Sequence, residues 1–207
     1  MLKEDIKLKL EQLFPNAGCE LDYRNIYELS VAVILSAQTT DKSVNLVTPN
    51  LFSKYPTVDD LASAKEEDVQ KIIRSIGLFV RKSQLIINFA KCVANNYNGI
   101  VPDEIDELIK IPGIGRKTAN VIVSEGYKKP GLAVDVHVTR VSKRLGLVPE
   151  TYDAVQIEYA LKELFDREDW HQIHHLLIFM GRYMCKSQKP LCEECPFITE
   201  CKFNKRW

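Results

Sequence analysis

Several things are missing from this chain of 207 residues, and each absence excludes something. It has no net charge: 28 Lys and Arg balance 28 Asp and Glu, which argues against a nucleic-acid binder that is basic over its whole surface. No apolar run approaches the roughly 20 residues needed to cross a bilayer, so a membrane is not an expected partner. There is no repeat, no low-complexity tract and no obvious linker. A secretory leader is not visible either, since Met1-Leu2-Lys3-Glu4-Asp5 opens a charged amphipathic helix. That points to a cytoplasmic protein. At this length the chain can bury a real core and divides into one or two domains.

Cysteine is absent over long stretches and then concentrated. Four of the six cysteines, Cys185, Cys192, Cys195 and Cys201, follow one another as C-x6-C-x2-C-x5-C, with Pro196 after the third. In a reducing compartment, clustered thiols hold metal more often than they pair as disulfides. Structural zinc commonly uses two paired-cysteine knuckles, whereas here one C-x2-C is flanked by two lone cysteines. An all-cysteine loop built around Cys-Pro suits a cubane 4Fe-4S cluster, with zinc as the competing reading. Cys19 and Cys92 sit in apolar sequence and read as buried thiols.

The most informative stretch is Ile111-Pro-Gly-Ile-Gly-Arg-Lys-Thr-Ala119, with Asp135 eighteen residues beyond Lys117. Gly113 and Gly115 allow a tight turn between two helical patterns and a close backbone approach to a ligand. Amides at a helix start lie at the positive end of its dipole and suit a phosphate. A lysine there can act as a nucleophile once its amine loses a proton. Taken singly, a Pro-Gly-x-Gly turn is often only a connector and a first-turn lysine only a surface charge. Charge distribution adds weight. From Lys110 to Arg144 eight basic residues stand against Glu125 and Asp135 alone, as expected of one phosphate-binding face on a neutral protein.

Periodicity is helical nearly throughout, so the fold class is all-α. Leu2, Ile6, Leu10 and Leu13 line an opening helix that ends near Pro15. Residues 27–37 are apolar almost all round and read as a central helix, although their β-branched content also allows a buried strand. Asp41 is expected to cap the next helix and Pro49 to kink or shorten it. Glu66 to Ile76, Arg81 to Tyr97, a first hairpin helix capped by Asp103, and Arg116 to Glu125 follow. Asp135 to Leu145, Tyr152 to Phe165 and His171 to Met184 complete the series.

Leu108-Ile-Lys-Ile-Pro-Gly-Ile-Gly-Arg-Lys-Thr-Ala-Asn120 followed by Ala133-Val-Asp-Val-His137 resembles the catalytic segment of the endonuclease III family. Ser36-Ala-Gln-Thr-Thr-Asp41 and the four-cysteine run resemble that family's other hallmarks, and the likeness spans about residues 20–201. The resemblance implies a helix-hairpin-helix DNA glycosylase fold, with two helical domains and a DNA-binding groove between them. A six-helix barrel would span 22–132, and 1–21 plus 133–207 would form a discontinuous cluster domain. It further implies base excision repair of double-stranded DNA containing damaged pyrimidines or abasic sites, by a monomer associated with the nucleoid if bacterial. Lys117 would attack C1′ of the damaged nucleotide, Asp135 would stabilise the cationic sugar, and β-elimination would cut the strand 3′ to the site. Gln38 and Leu78 would fill the space left by the extruded base. Gly113, Gly115 and His137 would contact DNA, and the four cysteines would hold the 4Fe-4S cluster.

This sequence departs from the pattern in small ways. Val136 stands where threonine is common, Met180 stands where histidine is frequent, and the neutral charge predicts weaker non-specific DNA binding. Two other readings compete. One is a mismatch-specific glycosylase that removes an intact adenine or thymine, and Lys117 with the absence of an additional C-terminal recognition domain argues against the adenine enzyme. The other is a non-catalytic helix-hairpin-helix DNA-binding protein, against which the Lys117/Asp135 pair counts.

Overall fold

The computed structural model describes residues 3–204, and these are helical with no β-strand among them. Leu2, Lys205 and Arg206 therefore lie outside the described residues. The helices divide into two units, Glu20–Lys129 and Met1–Cys19 with Pro130–Trp207.

In the first unit, α2 (Ile26–Leu35) is the central helix, and capping settles its helix-or-strand ambiguity. The Asn25 side chain accepts the Glu28 amide at 2.9 Å, satisfying a first-turn donor that a strand would have paired elsewhere. Glu28 is itself buried and takes Arg24 at 2.5 Å. Helix α3 (Asp41–Lys54) starts one residue away from expectation: Thr40, not Asp41, is the cap, accepting from the Ser43 amide. Pro49 lies inside α3 without ending it. The proline costs a backbone hydrogen bond, and burial of Val44, Val47, Leu51 and Phe52 offsets that loss.

Three short or shifted elements follow. Helix α4 (Val58–Ala62), closed by a Thr57/Asp60 capping box, is too brief for periodicity to reveal. Helix α5 (Glu66–Ile72) stops four residues before the expected end. The long α6 (Phe79–Tyr97) packs against α2, α4 and α5. Asp103 does not cap the first hairpin helix α7 (Ile105–Leu108). Glu104 holds the cap position with no side-chain capping bond, while Asp103 pairs with Lys129 at 2.8 Å. Helix α8 (Arg116–Val121) runs on into a wider π turn, Ile122–Gly126.

In the other unit, α1 (Lys3–Leu13) packs on α11 (Trp170–Phe179), and α9 (Val136–Leu145) packs on α10 (Ala154–Leu164) and on α11. Ile6, Leu10, Val138, Val141, Leu161, Ile173 and Leu177 form its core with Phe197 from the cysteine loop. Ion pairs tie α1 down, Lys3 to Asp166 at 2.7 Å and Lys7 to Asp169 at 2.6 Å. A second π turn, Met180–Met184, carries the chain from α11 to Cys185.

Candidate functional site

The hairpin occupies Ile109–Gly115 between α7 and α8. Ile111 and Ile114 are buried and anchor the turn, with the Ile114 amide donating to the Ile111 carbonyl at 3.1 Å. Gly113 between them takes φ +88, the left-handed region where a side chain is strained. Gly115 is the N-cap of α8 and brings no side chain to cap the first-turn amides. Lys117, the second residue of α8, is exposed beside them. The turn thus presents backbone donors, a helix N-terminus and an amine on one surface element.

Gln38 and Leu78 share an unusual backbone. Both are non-glycine residues with positive φ, 55 and 59, and both are exposed. Gln38 lies two residues past the C-cap of α2, and Leu78 is the N-cap of α6. Such conformations cost about 1 to 3 kcal/mol each and persist where surrounding structure enforces them.

Asp135 closes a buried extended run, Leu132-Ala133-Val134, which His174 anchors by a 2.8 Å hydrogen bond between its Nδ1 and the Ala133 carbonyl. Its Oδ1 accepts the amides of His137 and Val138, both at 2.8 Å, making Asp135 the N-cap of α9. No described hydrogen bond engages its Oδ2. His137 is half-buried, and burial pushes its pKa below the usual histidine value, favouring the neutral ring.

The four cysteines form no disulfide. Cys201 is buried, while Cys185, Cys192 and Cys195 are half-buried. Burial first, then Cys185 and Cys201, pushes the Cys192 thiol up. Cys195 is likewise raised by burial, with smaller pushes from the other three cysteines. Two arginines one helical turn apart on α9 hold this loop. Arg140 donates to the carbonyls of Gly181 at 2.7 Å and Cys185 at 2.9 Å. It also lies 3.1 Å from His137 Nδ1. Arg144 donates to the Lys186 carbonyl at 2.7 Å and to Cys185 Sγ at 3.5 Å, with its guanidinium stacked over Phe203. Gly181 permits this approach, since a Cβ there would lie 2.7 Å from that of His137.

The sequence-level charge count needs correction. Lys110, Lys128 and Lys129 pair with Glu107, Glu125 and the Asp103/Glu104 pair, acids drawn from nearby turns of the fold. Arg140 and Arg144 are committed to the cysteine loop. Cys19 and Cys92 are half-buried rather than buried. Sequence reasoning also missed Lys82, which is buried at 3% exposure. Its position among Ser83, Ile86, Ala90 and Val93 on the apolar stripe of α6 was the available signal.

The family model for HhH-GPD superfamily base excision DNA repair proteins matches residues 31–167. Endonuclease III of Bacillus subtilis (strain 168) is 47% identical over 198 residues, covering 96% of this chain and 90% of that protein. The chain belongs to the endonuclease III family. A solved structure of a trapped endonuclease III–DNA covalent intermediate, an estranged-adenine complex, superposes with a TM-score of 0.94. It is 44% identical and covers 100% of this chain and 98% of its own. A thermostable thymine-DNA glycosylase superposes at 0.88, covering 99% of this chain and 97% of its own, but at 22% identity it shows the fold alone. The endonuclease III fold accounts for both the hairpin and the arrangement of helices within each unit.

Proposed function

We propose that this chain is a bifunctional DNA glycosylase and abasic-site lyase of base excision repair. The observation that carries the reading is an exposed lysine on a glycine hairpin in a chain that matches endonuclease III over nearly its whole length. The partner is double-stranded DNA with oxidised pyrimidines or abasic sites, and such an enzyme works in the cytoplasm, on the nucleoid in a bacterium.

Lys117 is the nucleophile. Its neutral amine forms a bond to C1′ of the damaged nucleotide while the C1′–base bond breaks, and the base leaves with the bonding pair. Loss of a proton and ring opening yield an imine. Asp135 supplies the negative charge that stabilises the cationic sugar, and its unbonded Oδ2 is the oxygen free to do so. The imine acidifies C2′, whose proton departs as the C3′–O bond breaks, cutting the strand on the 3′ side. Gln38 and Leu78 fill the vacated stack, and Gly113, Gly115 and His137 hold the backbone.

Cys185, Cys192, Cys195 and Cys201 fit a 4Fe-4S cluster. The donor set is wholly thiol, and the burial, with the smaller mutual repulsion, that raises Cys192 and Cys195 is what bound iron would offset. When present, the cluster supplies cross-linking rather than chemistry on the sugar. The loop then presents Lys186, Lys189 and Lys202 to phosphates. Residues 22–132 would serve as the barrel domain, and 1–21 with 133–207 as the cluster domain.

The test is incubation with duplex DNA carrying one abasic site in the presence of borohydride. A covalent protein–DNA adduct is expected. A mismatch enzyme acting through water, or a binder, gives none.

A further inference from the structure

Lys82 has no place in the chemistry above, yet its surroundings are unusual for a lysine. It is buried within the Glu20–Lys129 unit, and no carboxylate among the described residues pairs with it. Burial alone moves its pKa, downward. The single described acceptor for Nζ is the hydroxyl of Thr39. Amines are seldom buried this far without an opposite charge, so the site holds Lys82 for a reason other than the stability of an apolar core.

What Lys82 touches supplies the reason. Its backbone amide donates to the Leu78 carbonyl at 2.9 Å, closing the first turn of α6 directly after the left-handed residue. Its side chain reaches across to Thr39, the residue following Gln38, in the turn between α2 and α3. One residue therefore grips both the segment that carries Gln38 and the segment that carries Leu78, two of the five non-glycine residues with positive φ among the described residues. The helices bearing those segments pack on each other, so the bond spans a pair of adjacent helix ends.

We propose that Lys82 is a positioning residue for base extrusion: a buried brace between the Gln38 turn and the Leu78 turn that sets their spacing, so both side chains enter the duplex together. The proposal rests on the reading of Gln38 and Leu78 as the residues that fill the vacated stack. A lysine suits the task. Its straight stem packs along the apolar stripe of α6 while the amine makes a directional bond that an apolar side chain of equal length cannot make. Leaving that amine unsatisfied is costly, so the Thr39 hydroxyl is held in place.

The test compares two duplexes under single-turnover conditions, using the full chain and two variants. One duplex carries an oxidised pyrimidine that must leave its pair, and the other a preformed abasic site with no pair to break. Lys82→Met keeps the volume and removes the donor, while Thr39→Val removes the acceptor from a half-buried position. Each is expected to slow base release from the lesion by about tenfold or more, with strand cleavage at the abasic site changed far less. The double variant should lose no more than the worse single one, because both cut the same bond. If Lys82→Met fails to fold, Thr39→Val carries the comparison alone. Equal losses on both duplexes in a folded variant overturn the brace, as do wild-type rates on both. A wild-type protein that gives no borohydride adduct instead sinks the lyase reading itself.

Discussion

Asp135 caps the helix that carries His137, with one carboxylate oxygen accepting the amides of His137 and Val138 at 2.8 Å. A residue proposed to stabilise a cation is thus also a structural cap, and the two duties separate by substitution. Asparagine caps a helix about as well as aspartate, while alanine costs about 1 kcal/mol.

Asp135→Asn is therefore expected to keep the melting temperature within a degree or two and to lose base release severely. DNA binding should hold or tighten, since a charge that repels phosphates has gone. Turnover on an oxidised-pyrimidine duplex, read beside a thermal melt, decides this. Unimpaired turnover would remove Asp135 from the mechanism.

For Lys117→Gln the expectation is complete loss of borohydride trapping and strand cleavage with the fold intact. Lys117 is exposed, so its replacement disturbs no core. Trapping at the wild-type level would mean that another amine is the nucleophile.

The cysteine loop predicts a yellow-brown protein with about four irons per chain. Cys192→Ser should lose colour and soluble folded protein together, because Phe197 and the Arg144 contacts depend on the same loop. Lys189→Ala should keep the colour while weakening DNA binding and flattening its salt dependence. Stoichiometric zinc without iron in protein prepared anaerobically would replace the cluster and leave the Lys117 chemistry untouched.

Gly113→Ala isolates the backbone of the hairpin. An added Cβ would sit 3.6 Å from Leu85 and 3.7 Å from Ile34, ordinary contact distances, so the cost is the positive φ alone. A loss of about 1 to 2 kcal/mol in stability is expected. Affinity for an abasic duplex, followed by fluorescence anisotropy, should fall well beyond that. A variant that is less stable but binds as before would relieve the turn of its DNA-contacting role.

What the sequence disclosed and what it hid follow from distance along the chain. The hairpin, the cysteine run and the amphipathic faces of α1, α6 and α9 are local patterns, and local patterns can be read without a fold. Caps were harder. Thr40 displaced Asp41, and Glu104 displaced Asp103, because a cap depends on one dihedral angle more than on residue type. The five-residue α4 was too short to show a period. Lys82 with Thr39, and Arg140 and Arg144 with the cysteine loop, are partners 41 to 45 residues apart. Nothing in a single sequence reports such pairs. The basic stretch looked more cationic than the fold leaves it in part for the same reason, since Lys129 pairs with Asp103 and Glu104 from outside that stretch.

The ion pair between Lys3 and Asp166 joins positions 163 apart, and Lys9 reaches Glu200 from still further. A ribosome therefore releases α1 long before any of its partners exist. Until α11 and the cysteine loop are made, Ile6 and Leu10 have no core to enter. The Glu20–Lys129 unit can fold in the meantime, as a contiguous segment whose contacts are all available once Lys129 has emerged. Closure of the other unit must then bring the ends of a long loop together, which makes it the slow and vulnerable stage of biogenesis. Chains that stall before Cys201 would carry a finished hairpin and an unfinished anchor.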